Sequence, residues 1–258
     1  MRVALAQMLS GTDPAENLRT MDFYVEQAAE ADASLVVFPE AAMCCFGVPL
    51  GPVAEPLDGA WADGVRELAD TADLSIIAGM FTPAGDGRVY NTLLAVGTLF
   101  DEHYHKVHLF DAYGFTESRT VAPGSGLVVV EVDGVRVGLS TCYDIRFPGL
   151  YQALADRGAD LIVVAASWGA GQGKVDQWEL LARARALDST TYIAACGQAD
   201  PGRASRAPTG VGHSLVVSPT GAVLDRLGAA PGLLVLDVDV EQVAAARQAL
   251  PVLANRRW

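Results

Sequence analysis

Three side chains in this sequence have the chemistry to break an amide-like bond if they meet. Cys142 closes the run "VRVGLSTCYDIRFPG", in which an alternating apolar pattern gives way to a thiol, an aspartate, an arginine and a proline. A thiolate is a strong nucleophile, but a free thiol near pKa ~8.5 needs a partner to take its proton. Glu40 follows the apolar run in "ASLVVFPEAAMCCFG", where a carboxylate just beyond a buried strand must be paired or solvated. Lys106 sits among histidines and aromatics in "FDEHYHKVHLFDAYGFTES". Taken singly, each has an ordinary reading: a small buried hydrophobe, a loop acid, a surface lysine. Taken together, a general base, a cation for an oxyanion and a covalent nucleophile each close a strand.

The elements that must position them are legible as strands and helices. Strands are expected at Val3–Gln7, Leu35–Phe38, Ser75–Met80, Tyr90–Gly97, His103–Lys106, Leu127–Val132 and Val135–Thr141. Others are expected at Leu161–Ala166, Tyr192–Cys196, Ser214–Ser218, Ala222–Leu227 and Leu233–Val238. Helical periodicity marks Pro14–Ala31, Trp61–Thr71, Phe147–Arg157, Val175–Ser189 and Glu241–Leu250. Asp13 before Pro14 is an N-cap followed by proline in the first turn, and Pro251 stops the last helix. The mixture of β-α-β units with hairpins, one turning at Pro219-Thr220-Gly221, excludes a purely alternating barrel or dinucleotide fold. It predicts an α/β fold of mixed sheets covered by helices in one domain spanning residues 1–258. The longest irregular stretch, Leu109–Ser125, is expected to be functional.

The segments "FPE" with Glu40, "HKVHLFD" with Lys106 and "STCYDIRFP" with Cys142 resemble the three signature segments of the nitrilase superfamily, the carbon–nitrogen hydrolases. "GQGKVDQWELLARARALDSTTYIAAC", "GHSLVVSPTGAVL" and "LPVLANRR" are similar to its Nit branch and bacterial amidase relatives, so the resemblance covers essentially the whole chain. It implies a four-layer αββα sandwich that forms homodimers, a Glu40-Lys106-Cys142 triad, and a second glutamate, Glu117, matched through "FTESRTVAPG". Tyr143-Asp144 after the cysteine stand where true nitrilases carry Trp-Glu, so amide hydrolysis is implied over nitrile hydrolysis. The reaction implied is thiol attack on a small carboxamide, release of ammonia, and hydrolysis of a thioester, with the Tyr143 N–H and Lys106 holding the oxyanion. N-carbamoyl amine or amino acid hydrolysis uses the same triad and is the alternative. Gly149, "EAAMCCFGVPLGPVAEPLDG" and "AASWGAG" depart from the family's usual segments and should shape the pocket. Tyr113, Phe115, Arg146 and Trp168 are candidate pocket residues. Arg146 has two readings, anchor for a substrate carboxylate or partner of Asp144.

Composition narrows the classes further. The net charge of −13 repels phosphates, so nucleic acid and anionic membranes are not expected partners. No apolar run approaches the ~20 residues of a membrane helix, and the N-terminus reads as a first strand; a cytoplasmic location is expected. Cys44, Cys45, Cys142 and Cys196 form neither a disulfide framework nor a metal-ligand spacing. The expected partner is a small amide, with no cofactor or metal. Three rivals remain open: a metal site at His103, His105 and His108; a Cys-His enzyme using His213; and a non-catalytic oligomerising domain.

Overall fold

A computed structural model describes residues 1–202 and 207–257. In chain order its first elements are β1 (Arg2–Gln7), α1 (Pro14–Glu30), β2 (Leu35–Val37), α2 (Ala60–Ala72), β3 (Ser75–Pro83), β4 (Val89–Gly97) and β5 (Phe100–His105). Short strands β6 (Asp111–Ala112), β7 (Phe115–Thr116) and β8 (Val121–Ala122) follow, then β9 (Val129–Val132) and β10 (Val135–Thr141). The chain continues through α3 (Pro148–Asp156), β11 (Leu161–Ala166), α4 (Lys174–Ser189), β12 (Tyr192–Gly197), β13 (Leu215–Val217), β14 (Val223–Arg226), β15 (Gly232–Asp237) and α5 (Val240–Ala249).

Two mixed sheets result. One runs β15-β1-β2-β3-β4-β5 with β8 added alongside β4; the other runs β14-β13-β12-β11-β10-β9. Strand periodicity sends alternate residues to opposite faces, and the inner strands of each sheet are buried on both. Val3, Leu5, Val37 and Ile77 face Val137, Leu139, Leu161 and Val163 in the layer between the sheets. Ala4, Ala6, Val36 and Ile76 turn the other way onto Met21 and Val25 of α1 and Trp61 and Val65 of α2. Ile162, Val164, Ile193 and Ala195 likewise meet Leu154 of α3 and Trp178 and Ala182 of α4. The order is helix, sheet, sheet, helix, as the resemblance implied. No helix among the described residues is long and apolar enough to cross a membrane.

The capping prediction for α1 holds: Asp13 accepts hydrogen bonds from the Ala15 and Glu16 amides. The Leu109–Ser125 stretch is less irregular than its sequence suggests. It contains the β6–β7 hairpin, a 3-10 turn at Glu117–Arg119, and β8 paired to β4.

Candidate active site

Glu40 lies three residues beyond β2. The turn that carries it is pinned to β3 by bonds from Phe38 N to Ile77 O (2.7 Å) and from Met43 N to Gly79 O (2.9 Å). Gln198, just past β12 in the other sheet, donates from Nε2 to the Glu40 carbonyl at 3.1 Å. The turn rests directly on Gly79. A methyl there would sit 2.6 Å from Ala41 N and 2.8 Å from Glu40 Cα. Gly79→Ala is therefore expected to displace Glu40. Overpacking of this kind costs about 1–3 kcal/mol, and misplacing a reacting group by ~1 Å costs about 10² in rate. Thermal melts and kcat on the variant check both effects.

Lys106 follows β5 and extends its pairing with β4 through a bond from Lys106 N to Asn91 O at 2.9 Å. Its side chain is 2% exposed, between two carboxylates that are 1% and 4% exposed. Nζ donates to Glu40 Oε1 at 2.9 Å and to both Glu117 oxygens at 3.0 Å. Asn91 Nδ2 donates to Glu40 Oε1 at 2.7 Å, and Phe110 N to Glu117 Oε2 at 2.6 Å. Ser167 N, just past β11, supplies Glu40 Oε2 at 2.8 Å. Burial opposes the Lys106 charge, but Glu40 and then Glu117 override it and hold the ammonium well above its ordinary pKa.

Cys142 ends β10 and opens a 3-10 turn, Cys142–Arg146, with the residue itself at φ +46°. That left-handed conformation is unusual for a residue with a Cβ and turns the side chain out of the strand direction. The thiol shares its cavity with Glu40, Lys106 and Glu117. Burial pushes it well above the ordinary thiol range, and the Glu40 charge adds to the effect; Lys106 pulls it down. Burial therefore favours the neutral form of the thiol. The other thiols lie elsewhere. Burial raises Cys44 to about 11, and Cys196 is buried with Sγ 3.2 Å from Val37 O.

The cavity has a volume of about 60 Å³, with Glu40, Lys106 and Cys142 in its wall. Tyr143, Phe115, Arg146 and Trp168 line it together with Phe46, Phe110 and Lys174. Tyr113 is at the hairpin tip, 81% exposed, and does not line the cavity; it meets lining residues through Lys174, whose Nζ lies 4.5 Å from its ring centre, and through the Phe110 ring. Arg146 donates to Gln177 Oε1 at 2.9 Å and stacks over Trp168, 5.2 Å from the ring centre. Asp144, the alternative partner considered for it, instead accepts from Tyr104, His108 and Thr141.

The histidines have other employment. His105 stacks on Tyr90, and its Nδ1 is 3.0 Å from Thr92 Oγ1; burial, then the neighbouring His103, depresses its pKa to about 4. His108 pairs with Asp144. His213 accepts the Trp178 indole N–H through its carbonyl and does not line the cavity. Asn91 and Ser167 were missed from sequence. Asn91 had a signal, a polar residue inside the apolar run "VYNTLLAV"; Ser167 contributes a backbone N–H, which no side-chain pattern announces.

Comparison with known proteins finds relatives along nearly the whole chain. A family model described as carbon-nitrogen hydrolase matches residues 2–248. A hydrolase of Mycobacterium tuberculosis is 63% identical, across 99% of this chain and 95% of its own length. An omega-amidase of Mus musculus is 34% identical, across 99% of this chain and 95% of its own. Nit3 of Saccharomyces cerevisiae, a member of branch 10 of the nitrilase superfamily, superposes with a TM-score of 0.88 at 26% identity, covering 100% of this chain and 97% of that one.

Proposed function

The chain belongs to the carbon–nitrogen hydrolase family, and from that premise we propose that it hydrolyses a small carboxamide bearing a remote carboxylate, through a thioester on Cys142. The observation that carries this reading is the buried Glu40–Lys106–Glu117 ion triplet against a thiol held at the end of β10. Glu40 takes the thiol proton as sulfur attacks the amide carbon. Lys106 and the Tyr143 N–H stabilise the oxyanion, and Glu117 keeps Lys106 charged and in place. Glu40 returns the proton to the leaving nitrogen, so ammonia departs and a Cys142 thioester remains. Water, deprotonated by Glu40, attacks the thioester; the acid leaves and the thiol is restored.

The carboxylate preference is supported by charge. Arg146 and Lys174 line the outer cavity, and no carboxylate among the described residues lies within ion-pair distance of either, although the chain carries 31 acids against 18 bases. The omega-amidase relative points the same way. The test is ammonia release from short ω-amides with a terminal carboxylate, from neutral amides and from N-carbamoyl amino acids. Arg146→Gln should lower kcat/KM for the carboxylated amides by about 10–100-fold, as expected for a lost charge-assisted hydrogen bond, and leave neutral amides nearly unchanged. Equal losses on both classes would remove Arg146 from recognition; faster turnover of N-carbamoyl substrates would reassign the substrate class.

A further inference from the structure

The mechanism leaves unused the aspartate two residues after the thiol. Asp144 is fully buried, and its oxygens are met by four groups. Oδ2 accepts from Tyr104 OH at 2.7 Å and from Thr141 N at 2.9 Å. Oδ1 accepts from His108 N at 3.0 Å and lies 2.7 Å from His108 Nδ1.

Those groups belong to two segments that are distant in sequence. Thr141 immediately precedes Cys142. Tyr104 and His108 stand two residues before and two residues after Lys106. His108 also stacks flat on Phe147, the residue after the Cys142–Arg146 turn, with ring centres 3.7 Å apart and planes within 7°. The Lys106 segment of one sheet is therefore bolted to the Cys142 turn of the other by a carboxylate and an imidazole face, with Phe110 packed edge-on against Tyr143 beside them. A buried carboxylate without its donors is costly, so the four contacts hold as a set.

Resting on the assignment of Cys142 and Lys106 above, we propose that Asp144 is a positioning residue that, through His108 and Tyr104, fixes the Lys106 ammonium relative to the Cys142 sulfur. It touches neither the thiol nor the ammonium. Its effect reaches the chemistry through the distance between them, and the groups facing the thiol are Glu40, Lys106 and Glu117. A slackened clamp weakens the pull of Lys106 on the thiol proton, so the thiolate forms at higher pH.

The experiment uses Asp144→Asn and His108→Asn. His108 has a side chain 28% exposed, so its variant keeps the fold even if the buried substitution does not. Two readouts are taken: kcat and KM on the best amide, and the pH dependence of Cys142 alkylation by iodoacetamide, followed by peptide mass spectrometry with Cys44 and Cys196 as internal references. The expected result is a fall in kcat of about 10-fold for His108→Asn and about 100-fold for Asp144→Asn, with KM changed by less than about threefold. Cys142 alkylation slows at neutral pH and its midpoint moves upward, while Cys44 and Cys196 are unaffected. A wild-type alkylation profile at Cys142 in a folded variant would overturn the proposal. So would faster alkylation of all three cysteines together, the mark of general loosening. Should no amide be turned over by the wild type, the functional reading fails, and the alkylation profile still decides the role of Asp144.

Discussion

Cys142→Ala is expected to reduce amide turnover by about 10⁶-fold, the scale of losing a covalent nucleophile, with the fold retained. The two effects separate for a structural reason. The sulfur's hydrogen bond to the Ser167 carbonyl is long, 3.9 Å, and the thiol faces a cavity, so removing it costs the fold little. Alanine accepts the same φ of +46° at the same cost as cysteine, so the turn into the Cys142–Arg146 segment has no new strain. Glu40 keeps its bonds to Lys106, Asn91 and Ser167. What disappears is the atom that bonds carbon. Circular dichroism and a thermal melt near wild type, alongside ammonia release at the uncatalysed rate, are the expected pair of results. Substantial turnover by Cys142→Ala would mean that another group attacks.

Lys106→Met carries the second large effect, and here activity and stability fall together. The ammonium is the only positive charge between Glu40 and Glu117 in the contacts described, and Asn91 Nδ2 lies 2.7 Å from one carboxylate and 3.4 Å from the other. Methionine matches the stem in volume but leaves two buried carboxylates facing each other. Breaking a buried ion pair from one side costs about 3–5 kcal/mol. The oxyanion also loses a charged donor, worth about 10²–10³ in rate. The pH sign follows from the electrostatics. In the variant a proton is the only available substitute for the missing charge, so the folded state binds protons more tightly than the unfolded chain. Its stability deficit relative to wild type must then shrink as pH falls and widen as pH rises. Melting temperatures at pH 5 and pH 8 read this directly. A deficit that is independent of pH would show that the triplet is not the electrostatic unit described.

Much of this was legible in the sequence, for identifiable reasons. The inner strands of the two sheets bury both faces, so apolar runs such as "LIVVAA" and "YIAACG" stand out, and Asp13-Pro14 marks the start of its helix to the residue. Glu40 and Cys142 were visible because each closes an apolar run, and Lys106 because it ends a run of histidines and aromatics. β5 begins three residues earlier than expected, at Phe100, because its exposed polar residues Asp101 to His103 pair with β4 without any apolar signal. The short strands β6 to β8 were invisible for a related reason: two residues carry no periodicity. Two of the partners of Asp144, His108 and Tyr104, lie 36 and 40 positions away, and nothing local distinguishes a carboxylate that clamps a turn from one that pairs with the nearby Arg146. Gly79 likewise reads as a weak point in a strand until the turn above it is seen to need the space.

The most direct test of the account is to catch the intermediate. Wild-type protein turning over its best amide is quenched in acid within milliseconds and its intact mass is recorded, followed by mapping of the modified peptide. The expected result is an adduct equal to the substrate less ammonia, located on Cys142, formed before the first free acid and absent in Cys142→Ala. Steady turnover with no acyl group on Cys142 at any quench time, or with the adduct on another residue, would contradict it.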